Sequence, residues 1–461
     1  MKSPRNASFW HSHICTSLIV GVSALGCAVA EENHSVALSP GTSYEDREPS
    51  NELQAISQEA QEAVDEINPG EGQFLPVGDD TVDISNLPPG IRAVTKAEAL
   101  EEDHAIVAKY RGWTIDDARA HYESGEAIGR VAEKLAKMRP EIFVGSILSE
   151  NPTGRPKLLI KGRADKSLQD LLDEEVLNIE LVEEQPFSAI ENLDRLYQLR
   201  DDLKAAGFDK LNVTADITRQ GKLLATVLDR PGASAKRDQL AQHLSPSVKN
   251  AKINFRADSI GKLTEAYGGL HVFTPGNGRC MSGWSMGYKT GSIWLPYGVS
   301  TAGHCTGISQ IEHTSGTRYA FPFVIQHLGS FGDIERHTNY NSGTANDDFY
   351  ALNSEIRDTG SVENVSSISV NESVCGFSRQ QAKRRCYKVK FTSVLVFNNA
   401  IGVHMDQSFT IGGDSGGPWF YSTKAYGSTI GNSWVGGTFG DVWSKADHYN
   451  NALGNASSVM Y

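Results

Sequence analysis

Two stretches decide how this chain reads: Ser300-Thr301-Ala302-Gly303-His304-Cys305 and Gly412-Gly413-Asp414-Ser415-Gly416-Gly417-Pro418. A serine hydroxyl is a poor nucleophile near neutral pH and needs a base beside it. Imidazole, with an ordinary pKa of about 6.5, takes such a proton and returns it. Glycines on both sides of Ser415 permit a tight turn that exposes Oγ and aims backbone N–H groups at a developing oxyanion. The N–H groups of Gly413 and Ser415 are the natural donors. Either stretch alone reads equally well as a core histidine or a plain glycine loop. Together, with a cysteine directly after the histidine, they supply a nucleophile and its base.

The chain around them has 461 residues, with 43 Lys+Arg against 56 Asp+Glu and a net charge of −13. That length suggests two or three globular units. Hydrophobic residues make up 39% and charged residues 21%. Wholesale disorder and collagen-like architecture are therefore excluded. The acidic balance argues against non-specific nucleic-acid binding. After residue 31 no apolar run approaches the roughly 20 residues that span a bilayer.

The charge is unevenly placed. Residues 1–30 carry +2, residues 31–90 carry −13, residues 91–270 carry −2, and the last 191 residues are neutral. Residues 1–30 read as a secretory signal peptide: Lys2 and Arg5 start it, Ile14 to Ala30 is apolar or small, and Ala28-Val29-Ala30 fits small-x-small cleavage. Lipoprotein processing at Cys27 is the rival. Residues 31–90 mix acidic residues with Ser, Pro, Gly and Asn and read as a disordered acidic spacer.

Residues 91–265 read as an α+β module. Thr114 is an N-cap for a helix running towards Met138, and Glu141 to Leu148 and Lys157 to Ile160 read as strands. Ser188-Ala189-Ile190-Glu191 is a capping box leading into a helix with Leu193, Leu196, Leu199 and Leu203 on one face, ended by Gly207. Leu211 to Ile217 and Lys222 to Leu228 flank a Gln220-Gly221 turn as a hairpin. From about residue 266, short β-type runs between turn residues indicate an all-β barrel or sandwich. Cys15 and Cys27 fall in the signal; Cys280, Cys305, Cys375 and Cys386 remain, all in the β-rich region. They suggest two disulfides, with three pairings open. No C-x₂-C pair favours a zinc site.

The pair T-A-G-H-C and G-D-S-G-G-P resembles the chymotrypsin-type serine peptidases. The short domain and the form around His304 are similar to the bacterial branch of streptogrisins and α-lytic protease. The resemblance spans about residues 268–461. It implies a trypsin-like catalytic domain of two six-stranded antiparallel barrels over residues 266–461, with His304 and Ser415 in the cleft between them. It implies protein or peptide substrates, no metal, no cofactor, no nucleic-acid or membrane partner, and a monomer.

A triad needs a carboxylate to hold the histidine tautomer and stabilise the imidazolium. Two regions compete: Phe331-Gly332-Asp333-Ile334 and Asn346-Asp347-Asp348-Phe349. Asp333 follows His304 by 29 residues and Asp348 by 44. The shorter spacing resembles the compact bacterial members, which makes Asp333 the expected acid and leaves Asp347 and Asp348 as surface acids. The same template implies bridges Cys280–Cys305 and Cys375–Cys386. It buries Asp414 beside the nucleophile with an ionic partner that the sequence does not identify. Lys383, Arg384, Arg385, Lys388 and Lys390 read as a solvated hairpin face rather than a docking site. Phe409 stands six before Ser415, where an aspartate would mark preference for Arg or Lys, so a neutral side chain is expected in the primary pocket. Ile430-Gly431-Asn432 is the expected edge strand for the peptide.

Residues 91–265 resemble the pro regions of the same branch, through Gly112-Trp113 before a helix and Phe143-Val144-Gly145 opening a strand. The resemblance implies an intramolecular folding aid and inhibitor, removed by cleavage within residues 255–275. The whole chain is then expected to be a secreted serine endopeptidase made as an inactive pre-pro-protein. A separate binding domain is the plainer reading of the middle segment. A non-enzymatic binding module that keeps the peptidase fold is the alternative class.

Overall fold

The structure is a computed structural model. It describes residues 75–76 and 90–461, apart from 175–177, 229–239, 241, 258–260, 264–268, 275–278, 291–292, 313–315, 339–346, 398, 455–457 and 460. The signal peptide and nearly all of the acidic spacer lie outside the described residues. Residues Gln73–Tyr461 form one compact unit. Among the described residues no helix is long and apolar enough to cross a membrane.

The early part of this unit mixes helices with short sheets. Helix Lys96–Arg111 starts at Thr95, whose side chain and that of Glu98 complete a reciprocal capping box, and stops at Gly112 in the left-handed region. Helix Ile115–Met138 starts in the same way at Thr114 with Asp117, and helix Ala189–Ala205 at Ser188 with Glu191. Strands Phe143–Ile147, Lys157–Lys161 and Glu180–Gln185 form one small sheet. Strands Leu211–Asp216 and Lys222–Leu228 pair antiparallel across a turn in which Gln220 and Gly221 both take positive φ. Leu196, Leu199 and Leu203 bury against this hairpin together with Val213 and Leu223.

The later part is nearly all strand. Six strands pair antiparallel in a closed circuit: Ser373–Ser378, Pro418–Tyr421, Lys424–Val435, Thr438–Lys445, Ala400–Met405 and Lys383–Val396, which returns to Ser373–Ser378. Trp419 and Trp443 stack on each other, and Phe420, Tyr426 and Phe377 are buried in the same hydrophobic cluster. A second sheet runs Phe323–Gly329, Gly332–His337, Ile293–Thr301, Ser285–Thr290 and Ser458–Val459, with Leu75–Pro76 also on Ile293–Thr301. A third holds Arg279–Met281, His271–Phe273, Gln310–Glu312 and Arg318–Ala320. Disulfides join Cys280 to Cys305 and Cys375 to Cys386.

The early segment is built into the later one through backbone pairing. Leu211–Asp216 extends the sheet at Val394 and Leu395, and Arg92–Val94 runs parallel to Glu355–Asp358. Buried charge reinforces this join. Asp103 of the first helix accepts from Arg357 at 2.8 Å, and both are fully buried. Arg384 reaches Glu102 at 2.8 Å and Glu355 at 2.6 Å. The basic strand is only in part the solvated face expected from its composition: Lys383, Arg385 and Lys390 are exposed, but two of its cations are drawn inward. Arg384 is buried in this network and Lys388 bonds Glu150 at 2.9 Å, because both side chains meet carboxylates delivered by the preceding helices and loops.

Candidate active site

His304 sits in the turn that follows strand Ile293–Thr301. Cys305 N–H donates to Ala302 O, and the disulfide to Cys280 ties the turn to strand Arg279–Met281. Gly303 has to be glycine here, because a Cβ would lie 2.9 Å from both Asp333 Oδ1 and His327 O. Asp333 comes from strand Gly332–His337. It accepts from the His304 backbone N–H through Oδ1 at 2.7 Å and meets His304 Nδ1 through Oδ2 at 2.5 Å. A carboxylate only accepts, so Nδ1 carries the proton and Nε2 presents its lone pair. His304 Nε2 lies 2.9 Å from Ser415 Oγ. The structure thus brings His304, Asp333 and Ser415 together. Asp347 and Asp348 lie elsewhere, close to Asp358.

Ser415 is held in a tight turn. Its carbonyl accepts from Met281 N–H at 2.8 Å, Gly416 N–H donates to Thr429 O, and Gly417 N–H donates to Asp414 O. Gly413 and Gly416 take φ of +119° and +90°. At Gly416 a Cβ would also meet Met281 O at 2.2 Å, so both conformation and contact demand glycine. Asp414 accepts from Ile411 N–H at 2.9 Å. Burial pushes its carboxyl up to about 7, against hydrogen bonds from Ile411, Ser378 and Gln380.

The residues expected to form the peptide-binding wall fall into two groups. Phe409 is buried against Trp419 and Tyr387, and Ile430 is buried beside Leu224, Phe391 and Val394. Gly431 and Asn432 face another strand: Gly261–Leu263 lies antiparallel to them, with Leu263 opposite Gly431, Lys262 opposite Asn432 and Gly261 opposite Ser433. Asn432 Nδ2 also donates to Thr410 O at 3.3 Å.

One contributor carries no motif. Asp441 is fully buried and accepts from Ser408 Oγ, Phe409 N–H and Thr410 Oγ1, so it fixes the segment that leads into the Ser415 turn. Burial raises its carboxyl to about 6, even though these donors favour the ionised form. Its strand position, opposite Asn432, is the only sequence-level hint, and it depends on knowing the register.

No family model matches the chain, and no curated protein matches it. Among solved structures it is similar to a glutamic-acid-specific serine protease that uses a histidine triad in substrate binding. That alignment has 22% identity over 42% of this chain and 99% of the other, with a TM-score of 0.32. It is also similar to the Nocardiopsis protease NAPase, at 21% identity over 42% and 98% with a TM-score of 0.32. The alignment with a chymotrypsin of Cellulomonas bogoriensis has 17% identity over 42% and 98%, again at 0.32.

Proposed function

We propose that this chain is a secreted serine endopeptidase, made with a pro region and acting through His304, Asp333 and Ser415. The observation that carries the reading is the imidazole held between two partners, with Asp333 at 2.5 Å on Nδ1 and Ser415 Oγ at 2.9 Å on Nε2. Ser415 Oγ attacks the scissile carbonyl while His304 Nε2 takes its proton. Asp333 keeps Nδ1 protonated and stabilises the imidazolium. The N–H groups of Gly413 and Ser415 receive the oxyanion. Collapse expels the amine, which takes the proton from His304 and leaves an acyl group on Ser415. Water, deprotonated by the same imidazole, releases the acid and restores the serine.

In this reading residues 266–461 form the two-barrel peptidase and residues 91–265 the pro region, which templates folding and blocks the cleft. Two observations support the block. Ser415 is fully buried, and Gly261–Leu263 occupies the edge strand expected to bind a peptide. The expected substrates are proteins or peptides with a neutral side chain in the primary pocket. The reading adds no cofactor and takes the mature enzyme as a monomer. The test is casein hydrolysis by the processed enzyme secreted after expression of the full chain, compared with Ser415→Ala. Hydrolysis at the wild-type rate by the alanine variant would falsify the mechanism.

A further inference from the structure

Two residues beyond Asp333, on the same face of strand Gly332–His337, the protein buries a second carboxylate–imidazole pair. Glu335 and His337 are 1% and 0% exposed. His337 Nδ1 lies 2.9 Å from the carbonyl oxygen of Phe321, and its ring stacks on the Phe321 ring. A carbonyl only accepts, so Nδ1 carries a proton. Nε2 then shares a single proton with Glu335 Oε1, 2.5 Å away, and the pair is neutral as a unit wherever that proton rests. Burial raises the Glu335 carboxyl while His337 acts to lower it.

The pair reaches the active site through Gln326, which stands opposite Glu335 in the neighbouring strand. The Gln326 side-chain nitrogen donates to Glu335 Oε2 at 3.3 Å and to the carbonyl oxygen of Gly303. Both partners only accept, which fixes the amide orientation. The Gly303 carbonyl belongs to the Gly303–His304 peptide, and the N–H of that peptide is held by Asp333 Oδ1 at 2.7 Å. One peptide unit, directly before the base, is therefore gripped at both ends. Two buried ionisable groups are a costly way to fill a core, since apolar residues of similar volume commonly serve stability as well.

We propose that Gln326, Glu335 and His337 are positioning residues: they anchor the Gly303–His304 peptide and thereby set the His304 ring against Ser415. The proposal rests on the reading of His304 as general base. A misplacement of about 1 Å can lower a rate by about 10²-fold.

The experiment uses enzyme produced from the full chain, with competent sites counted by fluorophosphonate titration. Gln326→Met removes the donor at similar volume. It should lower kcat per titrated site by about 10- to 100-fold, with KM within about twofold. Glu335→Leu should do the same. Glu335→Gln should recover most of that loss, because its amide donates to neutral His337 and its carbonyl still accepts from Gln326. Wild-type kcat in Gln326→Met, or a Glu335→Gln as impaired as Glu335→Leu, overturns the proposal. The downfield Nδ1–H resonance of His304, recorded at fixed pH, reads the same anchoring without turnover. It should broaden or shift in Gln326→Met, and an unchanged signal also overturns the proposal. Failure of the function itself would appear separately, as unimpaired hydrolysis by Ser415→Ala.

Discussion

Leu263 lies opposite Gly431, in an antiparallel register that seats three residues of the chain on its own candidate substrate strand. The strand they lie on also holds Thr429, whose carbonyl accepts from Gly416 N–H directly after Ser415. The pro-region reading expects the cut within residues 255–275. Mass spectrometry of the secreted product should find a new N-terminus there, and Ser415→Ala should remain uncut. A mature N-terminus beyond Cys280 would refute this, because it would discard half of a disulfide.

The three contacts around His304 predict a steep and non-additive loss on substitution. Asp333→Asn disturbs the tautomer with little change in shape and should lower kcat by about 10⁴-fold. His304→Ala and Ser415→Ala should each lose at least as much, and the double variant little more. Asp348→Asn, remote from this triad, should retain full activity. Steady-state kinetics on a peptide anilide checks all of them.

Helix Lys96–Arg111 illustrates what local sequence hides. Asp103 and His104 are buried at positions where an amphipathic pattern calls for apolar residues. The burial of Asp103 makes sense only with partners from 250 or more positions away, Arg357 being 254 residues from it. A similar distance explains why the burial of Arg384 was not legible, since Glu102 lies 282 residues from it. By contrast, the helices starting after Thr114 and Ser188 were legible because their caps lie within four residues. His304 and Ser415 were legible because each is set in a short motif. Asp333 came from spacing and resemblance, and its neighbours Gln326 and Glu335 were not legible, because they meet only through strand register.

Removing one member of a buried ion network should cost more than replacing the network. Asp103→Asn leaves Arg357 and Arg384 short of countercharge and should destabilise the full chain by about 3–5 kcal/mol. Pairing Asp103→Leu with Arg357→Met should recover part of that loss. Urea unfolding in a Ser415→Ala background, which prevents self-digestion, measures both. Equal stability of Asp103→Asn and the parent would count against the network as a structural tie.

His404 predicts one limb of the pH–stability profile. It is fully buried, its Nε2–H donates to Ser433 O at 3.1 Å, and desolvation depresses its pKa to about 4. The unfolded chain, with the ordinary value of about 6.5, binds more protons between these limits, so stability rises with pH across them. The contribution is complete above about 6.5 and is lost as pH falls through about 4. Its size is on the order of 3 kcal/mol. His404→Phe, again with Ser415→Ala, should make this limb shallower between pH 4 and 7, with the remaining slope carried by His121, His271 and His448, which burial depresses in the same way. An unchanged slope would show that another group sets it.

Both disulfides lie within residues 280–386, and no cysteine occurs between Cys27 and Cys280. A backbone cut within residues 255–275 would leave no covalent bond between the two halves. Tethered segments see one another at an effective concentration that can reach the millimolar range, and severed ones only at their bulk concentration. The hold of the first half on the second then becomes a matter of volume. Release would need no reductant and no partner protein, only escape from a confined space into a large one.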